Sequence, residues 1–323
     1  LIIVASLALI GGLLYSSYET TNPEYDLYLA QYGKSYNSFS DYEMRKTLYF
    51  THKSMIEEEN AKGNSYTLGM NKFGDWTDEE YKGLLGFKKT NSFVKPANWG
   101  QEVPKSDTTI DWQAEGVVAP VKNQGSCGSC WAFSAVGALE AAHAIADKTG
   151  EVQQFSEQQL VDCSKNGGNA GCEGGEMFEA FPWYTSHGAC FEENYAYEAQ
   201  DLTCRDSSCS ANSKPTSDST LFESNDPSVL HEQLAIAPHS LGIAAGNFIF
   251  EFYQSGEIHS DDCGHALDHG VLLVGYDAQR DAWKVKNSWD SGWGEKGYVY
   301  IQDNHKVSYG YCGVNMEISR PIL

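Results

Sequence analysis

The stretch Pro-Val-Lys-Asn-Gln-Gly-Ser-Cys-Gly-Ser-Cys-Trp-Ala-Phe-Ser, residues 120–134, decides how this chain folds. A glycine-rich loop delivers Cys130 to the start of an apolar segment at residues 131–146, and Lys148 with Gly150 supplies a helix stop. We therefore expect Cys130 at a helix N-terminus, where the helix dipole favours negative charge and lowers the pKa of a thiol. A thiolate placed there is a nucleophile if a base lies nearby.

The motif Cys127-Gly128-Ser129-Cys130-Trp131 matches the Cys-Gly-(Ser/Ala)-Cys-(Trp/Tyr) signature of papain and cathepsin cysteine peptidases. The sequence resembles this family over nearly all of residues 40–320. The alternative is a Cys-x-x-Cys metal or redox pair. Such a pair requires a second pair at suitable spacing or a thioredoxin-like context, and the sequence has neither.

The charge of the chain is strongly negative and unevenly distributed. The formal net charge of the 323 residues is −22. Before residue 107 there are 11 basic and 13 acidic residues, whereas from residue 107 onward there are 11 and 31. This imbalance argues against a nucleic-acid partner. It suits an acidic compartment, where carboxylate protonation relieves self-repulsion.

Residues 1–14 form an uncharged apolar run that is too short to span a bilayer comfortably. We interpret residues 1–17 as a signal peptide that lacks its basic region and initiator Met. Secretion predicts disulfides and a lysosomal, acidic-vacuolar or extracellular location without a stable membrane anchor.

Residues 18–106 resemble an inhibitory propeptide of the cathepsin L-like branch. A helix is predicted from Tyr25 to Asn60, and one stripe of it resembles the interrupted Glu-Arg-Phe-Asn-Ile-Asn pattern. The residues of this stripe are Asp41, Arg45, Tyr49, His52, Ile56 and Asn60. His52 departs from the pattern, and a solvated helix with incidental spacing is the alternative.

A second propeptide motif, Gly-x-Asn-x-Phe-x-Asp, is matched by Gly69, Asn71, Phe73 and Asp75. The resemblance implies a small helical domain whose extended tail fills the active-site cleft backwards and makes the propeptide an inhibitor. Asp75 is a candidate acid sensor, because protonating a paired carboxylate removes its stabilising charge.

The predicted fold class is α+β, with the two-domain papain-like layout after the propeptide. Residues 91–106 are the predicted linker, the mature chain should begin between Gln101 and Thr109, and residues 107–323 form the peptidase domain. Residues 107–215 should be mainly helical. The following apolar runs predict strands of a barrel-like half: Gly242–Ile249, Gly270–Tyr276, Trp283–Asn287 and Gly297–Gln302.

The resemblance assigns the catalytic base to His269, which lies 139 residues after Cys130 and just before an apolar run. It assigns orientation of the imidazole to Asn287, and the oxyanion hole to Gln124 with the backbone N–H of Cys130. Gln124 as an ordinary loop residue is the alternative, as is a metal cluster of Cys263, His265 and His269. Trp289 and Trp293 are the residues expected to support the site structurally.

The block that begins at Asn287 departs from the family at Asp290, where glycine is usual. Because of this departure, the loop conformation expected from the family is in doubt at Asp290, whereas the expected catalytic roles are unchanged. A Cys130 thiolate would attack the peptide carbonyl and His269 would protonate the leaving amine. Neither a metal nor a cofactor is needed for that chemistry.

The nine cysteines are paired by the same resemblance, which implies three bridges: Cys127–Cys172, Cys163–Cys204 and Cys263–Cys312. We hypothesise a fourth bridge between Cys190 and Cys209, with two free thiols as the alternative. Either outcome leaves Cys130 as the odd cysteine.

The substrate-binding residues are also assigned by resemblance. They are Gly174, Gly175, Met177, Leu267, Asp268, Gly270 and Glu317. Glu317 maps to the base of S2, the pocket for the second residue before the scissile bond (P2). A carboxylate there would accept Arg besides Leu or Phe, whereas a solvent-facing Glu317 would leave specificity hydrophobic.

The expected protein is a monomeric cysteine endopeptidase zymogen that acts on proteins and peptides. Its own propeptide is an expected inhibitor, and cystatin-like inhibitors are candidate partners. The alternatives are a catalytically silent binding protein, a propeptide-type inhibitor and a metal-binding module. The presence of Cys130, His269 and Asn287 argues against a silent relative.

Overall fold

The computed structural model describes residues 22–88, 106–148, 150–165, 168–209, 218–222, 227–304 and 309–323. The predicted signal peptide and nearly all of the predicted linker therefore lie outside the described residues. The helices are Pro23–Tyr32 (α1), Phe39–Asn60 (α2), Asp78–Lys82 (α3), Cys130–Asp147 (α4), Glu157–Cys163 (α5), Met177–His187 (α6), Pro227–Leu234 (α7) and Phe248–Glu251 (α8). The strands are Tyr66–Leu68 (β1), Ile110–Asp111 (β2), Asp218–Phe222 (β3), His239–Ile243 (β4), Tyr253–Ile258 (β5), His269–Asp277 (β6), Ala282–Lys286 (β7), Tyr298–Gln302 (β8) and Ile318–Ile322 (β9).

The sheet follows the order β1-β5-β8-β7-β6-β4-β9-β3, with β2 paired beside β6. Among these pairs β5–β8 is parallel and the others are antiparallel. One hydrophobic core lies around the sheet and includes Trp283 and Val285. A second core surrounds α4 and includes Trp131 and Leu139. The predicted α+β layout, a helical half and a sheet half, is confirmed.

Helix α4 is apolar on nearly every side and is buried for most of its length. A helix of this kind belongs inside a core. It packs on β6 so closely that a methyl group added at Gly137 would lie 3.1 Å from a Leu272 side-chain carbon. The Ser134 hydroxyl donates to the Val271 carbonyl at 2.5 Å. This packing fixes the direction of the helix relative to the strand.

The N-terminal helix predicted as one segment is interrupted. Helix α1 ends at Tyr32, and Gly33 adopts the left-handed conformation with φ 63°. Glycine takes that conformation without steric cost and commonly ends helices. Ser38 then caps α2 by accepting from the Asp41 N–H at 3.1 Å. The predicted continuous helix from Tyr25 to Asn60 is therefore wrong across this turn, because Gly33 ends the first helix.

The strand predicted at residues 242–249 is also only partly correct. Strand β4 ends at Ile243, and Asn247 caps the short helix α8 by accepting from the Phe250 N–H at 2.9 Å. Asparagine is a favoured N-cap because its short side chain reaches the free amides of the first turn. The apolar residues after Asn247 therefore face the core from a helical turn.

The N-terminal helical unit is organised around the buried carboxylate of Asp75. Tyr36 donates to it at 2.6 Å and Tyr25 at 3.0 Å, and Lys34 forms an ion pair with it. The Arg45 guanidinium contacts both carboxylate oxygens of Glu80. The predicted stripe on α2 therefore faces the motif that follows it in sequence.

The unit docks on the sheet half through backbone pairing and aromatic packing. Strand β1 adds to the edge of β5 in an antiparallel register. The Asn71 amide donates to the Glu251 carbonyl at 2.8 Å. The Phe73 ring meets Trp289 edge-to-face, with centroids 5.2 Å apart. The contact thus extends the core of the sheet half.

The structure joins the cysteines as Cys127–Cys172, Cys163–Cys204, Cys190–Cys209 and Cys263–Cys312. Cys130 is the free cysteine, and it is buried. Because its sulfur is bonded to Cys172, Cys127 is unavailable for a Cys-x-x-Cys pair with Cys130.

We predict that the Arg45–Glu80 ion pair makes the stability of the N-terminal unit acid-sensitive. The contact with Arg45 holds the pKa of Glu80 below its ordinary value of 4.5. A lowered folded-state pKa stabilises the fold above the ordinary value, and the contribution is lost as the pH falls through the lowered one. Because Glu80 is partly exposed, its Glu80→Gln variant should lose about 0.5–1 kcal/mol at neutral pH and much less in acid.

The measurement is denaturant unfolding of the full chain at about pH 7 and about pH 3, on either side of the ordinary carboxyl pKa. A Cys130→Ala background removes the free thiol. Glu79→Gln is the matched control, because no ion pair to Glu79 occurs among the described residues. An equal loss at both pH values would contradict the prediction.

Candidate active site

Cys130 is the first residue of α4, as predicted, and its sulfur lies against backbone donors from two parts of the chain. The Gly86 N–H lies 3.2 Å from the sulfur and the Gly270 N–H lies 3.4 Å from it. Gly86 belongs to the N-terminal unit, so this unit covers the candidate nucleophile. A side chain at Gly86 would collide with the Gly128 carbonyl at 1.8 Å, which explains why glycine is needed there.

His269 is the first residue of β6 and lies beside Cys130, because its neighbour Gly270 contacts the sulfur. Its Nε2 is 2.8 Å from the Asn287 side-chain oxygen. Its Nδ1 is buried and has no hydrogen-bond partner among the described residues. The Asn287 contact thus leaves Nδ1 as the ring nitrogen that is free to exchange a proton with a group in the cleft.

Trp289 covers the His269–Asn287 contact. Its ring stacks on the imidazole with centroids 4.7 Å apart and an interplanar angle of 29°. Trp293 packs edge-to-face on Trp289 at 5.2 Å. Both tryptophans are buried, so water is kept from the hydrogen bond and the ring orientation is fixed.

Gln124 is held in a fixed orientation and donates toward the N-terminal unit. Its carboxamide oxygen accepts from the Ser288 hydroxyl at 2.7 Å and from the Trp289 indole at 3.0 Å. Its Nε2 donates to the Leu84 carbonyl and to the Cys127 carbonyl, each at 2.9 Å. The Leu84 carbonyl, from a distant part of the chain, therefore already accepts a hydrogen bond from the Gln124 amide.

The segment after Leu84 crosses the cleft as an extended strand. The Gly175 N–H donates to the Gly86 carbonyl at 2.8 Å, and the Lys88 N–H donates to the Gly175 carbonyl at 2.9 Å. The Phe87 N–H donates to the Asp268 carbonyl at 3.0 Å. A Cβ atom added at Gly174 would lie only 2.5 Å from the carbonyl oxygen of Gly86. The predicted substrate-binding glycines thus border a site for an extended backbone.

A side-chain pocket beside this strand holds the Phe87 ring. The ring lies against Gly242, where an added methyl group would be 2.8 Å from it, and Leu267 borders the same position at 3.3 Å. Met177 lies beside Gly270, because its sulfur would be 3.1 Å from a Cβ atom added at that glycine. Gly242 was not predicted as a site residue. A glycine inside a predicted strand often marks a point where a ligand or another segment of the chain approaches the backbone closely. The position of Gly242 in such a strand could therefore have indicated its role.

Glu317 is buried, with 1% of its surface exposed, so in this form of the protein it does not face solvent. Its backbone carbonyl accepts from the Gly242 N–H at 3.2 Å. That bond places Glu317 behind the strand residue on which the Phe87 ring rests.

The ionisation of the central pair is opposite to the sequence prediction. Burial raises the pKa of the Cys130 thiol to about 11, although the backbone donors oppose this shift. Burial lowers the pKa of His269 to about 4, against the stabilising contact with Asn287. The helix dipole favours the thiolate, but the strand that excludes water from the cleft buries the sulfur, and burial has the larger effect on the pKa. With that strand in place, both groups are neutral at pH 7.

A buried charge network behind the site was not predicted. The Lys122 ammonium contacts Glu140 at 2.8 Å and Glu157 at 2.7 Å. Lys286 lines the same cavity of about 20 Å³, and burial lowers its pKa to about 8. Lys122 is two residues from Gln124 and Lys286 directly precedes Asn287, so the network anchors both loops. Long-range pairing of this kind leaves no local sequence signal.

Two other features of the predicted site are settled by covalent and backbone geometry. The Cys263 sulfur is bonded to Cys312 and is therefore unavailable to a metal site with His265 and His269. Asp290 adopts the left-handed conformation with φ 76°, and its carboxylate accepts from the Gly292 N–H at 2.8 Å. This local bond supports the conformation for which the family uses glycine.

Two family models match this chain. Residues 106–322 match the model described as papain family cysteine protease. Residues 25–81 match the cathepsin propeptide inhibitor domain. Together these matches cover the helical unit and both halves of the fold.

Curated and solved relatives span almost the whole chain. Digestive cysteine proteinase 3 of Homarus americanus is 37% identical over 329 residues, which cover 99% of each chain. A cathepsin L-like peptidase of Aedes aegypti is 38% identical over 338 residues and 95% of each chain. The structure of digestive procathepsin L2 proteinase from Tenebrio molitor larval midgut has a TM-score of 0.80 at 33% identity, covering 93% of this chain and 99% of that one.

We predict that native Cys130 is almost inert to alkylation while the N-terminal unit is in place. A pKa of about 11 leaves a thiolate fraction of about 10⁻⁴ at pH 7. Iodoacetamide should therefore modify the full-length protein about 100-fold or more slowly than it modifies free cysteine. The rate is measured by mass spectrometry. Unfolding in guanidinium without reductant is the control and should release one rapidly reacting thiol per chain. Equal rates for the native and unfolded protein would contradict the prediction.

Proposed function

The chain belongs to the papain family of cysteine proteases, and on that premise we propose that it is an endopeptidase zymogen with Cys130 as its nucleophile. The cathepsin L-like assignment follows from its relatives. We propose the boundaries residues 1–17 for the signal peptide, 18–106 for the propeptide and 107–323 for the peptidase domain.

The observation that carries this proposal is the peptide strand that already lies in the cleft. Its backbone contacts the Cys130 sulfur at Gly86, the Gln124 amide at Leu84 and the Gly175 backbone. A cleft that binds an extended main chain at its nucleophile, its amide donor and its edge is suited to peptide substrates. The bridge between Phe87 and Gly175 is parallel. The propeptide thus uses a substrate site in a direction that we propose is unproductive.

In the proposed acylation step, the Cys130 sulfur donates an electron pair to the carbonyl carbon of the scissile bond. The carbonyl electrons move to oxygen, where the Gln124 amide and the Cys130 backbone N–H stabilise the negative charge. When the C–N bond breaks, protonated His269 supplies its proton to the leaving amine. The products of this step are a free amine and a thioester on Cys130.

In the proposed deacylation step, His269 accepts a proton from water as the water oxygen attacks the thioester carbon. The C–S bond then breaks, the acid product leaves and the Cys130–His269 pair is restored. Asn287 keeps the imidazole in the required orientation through its 2.8 Å contact with Nε2. Trp289, which stacks on the imidazole, shields that hydrogen bond from water. The Cys130–His269 pair relays the protons of the cycle, and water supplies the oxygen and the hydrogen atoms that the two products gain.

Removal of the propeptide would create the reactive ionic pair. Gly86 covers the sulfur in the zymogen, and burial keeps the pKa of Cys130 high and that of His269 low. Water entering the cleft would favour the charged forms of both groups. The α4 dipole would then favour the thiolate, as expected from the sequence.

We propose that acid initiates this removal through an ion pair inside the propeptide. Protonating Glu80, whose pKa is held below its ordinary value by Arg45, would abolish this pairing. The change removes stabilisation from the unit that holds the inhibitory strand. The site of use would be an acidic lysosome or vacuole, or the extracellular space. No helix among the described residues is long and apolar enough to cross a membrane.

We also propose that the pocket occupied by Phe87 becomes S2, with Glu317 at its base. The glycine at position 242 leaves space for a large side chain, and Leu267 supplies apolar surface. The buried carboxylate of Glu317 would pair with a guanidinium that reaches the base of the pocket. The pocket would then accept Arg in addition to Phe or Leu.

We predict that acid processing and peptide cleavage both depend on Cys130. Incubation of the wild-type precursor at about pH 4–5 with a reductant should remove the propeptide, because acid weakens the carboxylate pairs. Cys130→Ala should remain full length and inactive. Gln124→Ala, processed by added wild-type enzyme, should lose about 100- to 1000-fold in kcat/KM.

Electrophoresis and hydrolysis of a fluorogenic Phe-Arg substrate measure the two outcomes. Unfolding of each precursor checks that the variants are folded. A wild type that shortens but remains inactive would favour a catalytically silent relative, and activity in Cys130→Ala would refute the assigned nucleophile.

We predict that Glu317→Ala selectively reduces cleavage after Arg-Arg dipeptides relative to Phe-Arg dipeptides. Loss of a charge-assisted contact should lower the Arg/Phe ratio of kcat/KM by about 10-fold or more. Glu317→Gln retains the shape and removes the charge, so it should lower the ratio in the same direction. An unchanged Arg/Phe ratio of kcat/KM in both active variants would show that Glu317 does not determine the P2 preference.

A further inference from the structure

Lys72 of the propeptide lies at a polar position on the rim of the cleft. Its ammonium donates to the side-chain oxygen of Asn123 at 3.2 Å. Asp290 is the nearby acidic group that acts on Lys72 electrostatically, and Lys34 is the nearby basic group. Burial lowers the pKa of Lys72 to about 8, and the Asp290 carboxylate opposes this shift. Lys72 is therefore positively charged below that pH.

Backbone pairing brings Asn123 and Asp290 together. Asn123 forms an antiparallel bridge with Trp289, and the Asp290 N–H donates to the Lys122 carbonyl at 3.0 Å. The Asp290 side chain is exposed. The only carboxylate contacts described for it are with its own loop, from Gly292 and Ser291 to Oδ1. The second oxygen thus remains available at the rim.

This position lies on the side of the cleft opposite the S2 pocket. The propeptide strand contacts Gln124 through Leu84, crosses Cys130 at Gly86 and reaches the S2 pocket at Phe87. Asn123 directly precedes Gln124. If S2 holds a residue before the scissile bond, the Gln124 side of the cleft receives residues after that bond.

We propose that Asn123 and Asp290 form a subsite for a basic side chain on the leaving-group side of the scissile bond. This inference rests on the proposed endopeptidase function. When the propeptide leaves, Lys72 is withdrawn and the two oxygen-bearing side chains remain beside the cleft. A Lys or Arg within two residues after the scissile bond would occupy the same place. Asp290 supplies the charge, and the Asn123 oxygen supplies a hydrogen-bond acceptor.

The chemistry of this subsite differs from that of the proposed S2 carboxylate. Glu317 is buried, whereas Asp290 is exposed. An exposed ion pair contributes little to binding and is screened by salt. The expected preference is consequently modest, about 2- to 5-fold in kcat/KM, and it should decrease with ionic strength.

The test uses internally quenched peptides with Phe as P2 and Arg directly before the scissile bond. Lys, Gln or Glu is placed at the first or the second position after that bond. Activated wild-type enzyme and its Asp290→Asn variant are compared at about pH 6, where an ordinary Asp is ionised and Lys is protonated. Asparagine also tolerates the left-handed conformation of this position, so the substitution removes the charge and keeps the loop.

The wild type should cleave the Lys peptide about 2- to 5-fold better than the Gln peptide in at least one of the two positions. Asp290→Asn should bring that ratio close to 1, and about 0.5 M salt should reduce it in the wild type. Glu115→Gln is the matched control, because it removes the charge of an exposed carboxylate in a different loop. It should leave the ratio unchanged.

The proposed subsite would be contradicted by a wild-type Lys/Gln cleavage ratio near 1 in both positions. A ratio that Asp290→Asn does not change would contradict it as well. Cleavage products are identified by mass spectrometry so that all compared peptides are cut at the intended bond. Failure of the proposed function gives a different result: none of the peptides is cleaved, or cleavage persists in Cys130→Ala.

Discussion

The packing of helix α4 on strand β6 is the constraint on which the site depends. The helix begins at Cys130 and the strand begins at His269, so their close packing brings the two first residues together. Gly137 permits the approach, and the Ser134 hydroxyl fixes it through the Val271 carbonyl. Both elements are buried, which makes the arrangement costly to distort. The proposed chemistry therefore lies where two rigid elements start and not on a mobile loop.

The sequence predicted those features that depend on local patterns. It predicted the helix at Cys130 because glycine-rich chain precedes an apolar segment, and it predicted the strand at Gly270–Tyr276 because the apolar run is continuous. It failed at Gly33, where a left-handed turn divides the predicted helix, and at Asn247, where a helix cap interrupts the predicted strand. Such failures are local, and closer attention to caps would have corrected them.

Features that depend on distant parts of the chain could not be predicted in the same way. The raised pKa of the Cys130 thiol arises from burial beneath a segment that includes Gly86, which is 44 residues away in the chain. The Lys122 network similarly joins a loop to two helices. Gly242 has a role only because Phe87 comes to lie on it. In each case a single residue is uninformative until the tertiary structure supplies its neighbour, so burial and charge could not be assigned from local sequence alone.

Strand β1 has a consequence for the protein after its propeptide is lost. In the zymogen, β1 covers the outer edge of β5 with an antiparallel pairing. Its departure uncovers backbone donors and acceptors that could recruit a strand from another molecule. The exposed Gln254 and the left-handed Gly256 interrupt this edge, and the pairing is irregular near Leu68. Once the propeptide is removed as proposed, the β5 edge that remains is short and irregular, and both features oppose edge-to-edge pairing with another molecule.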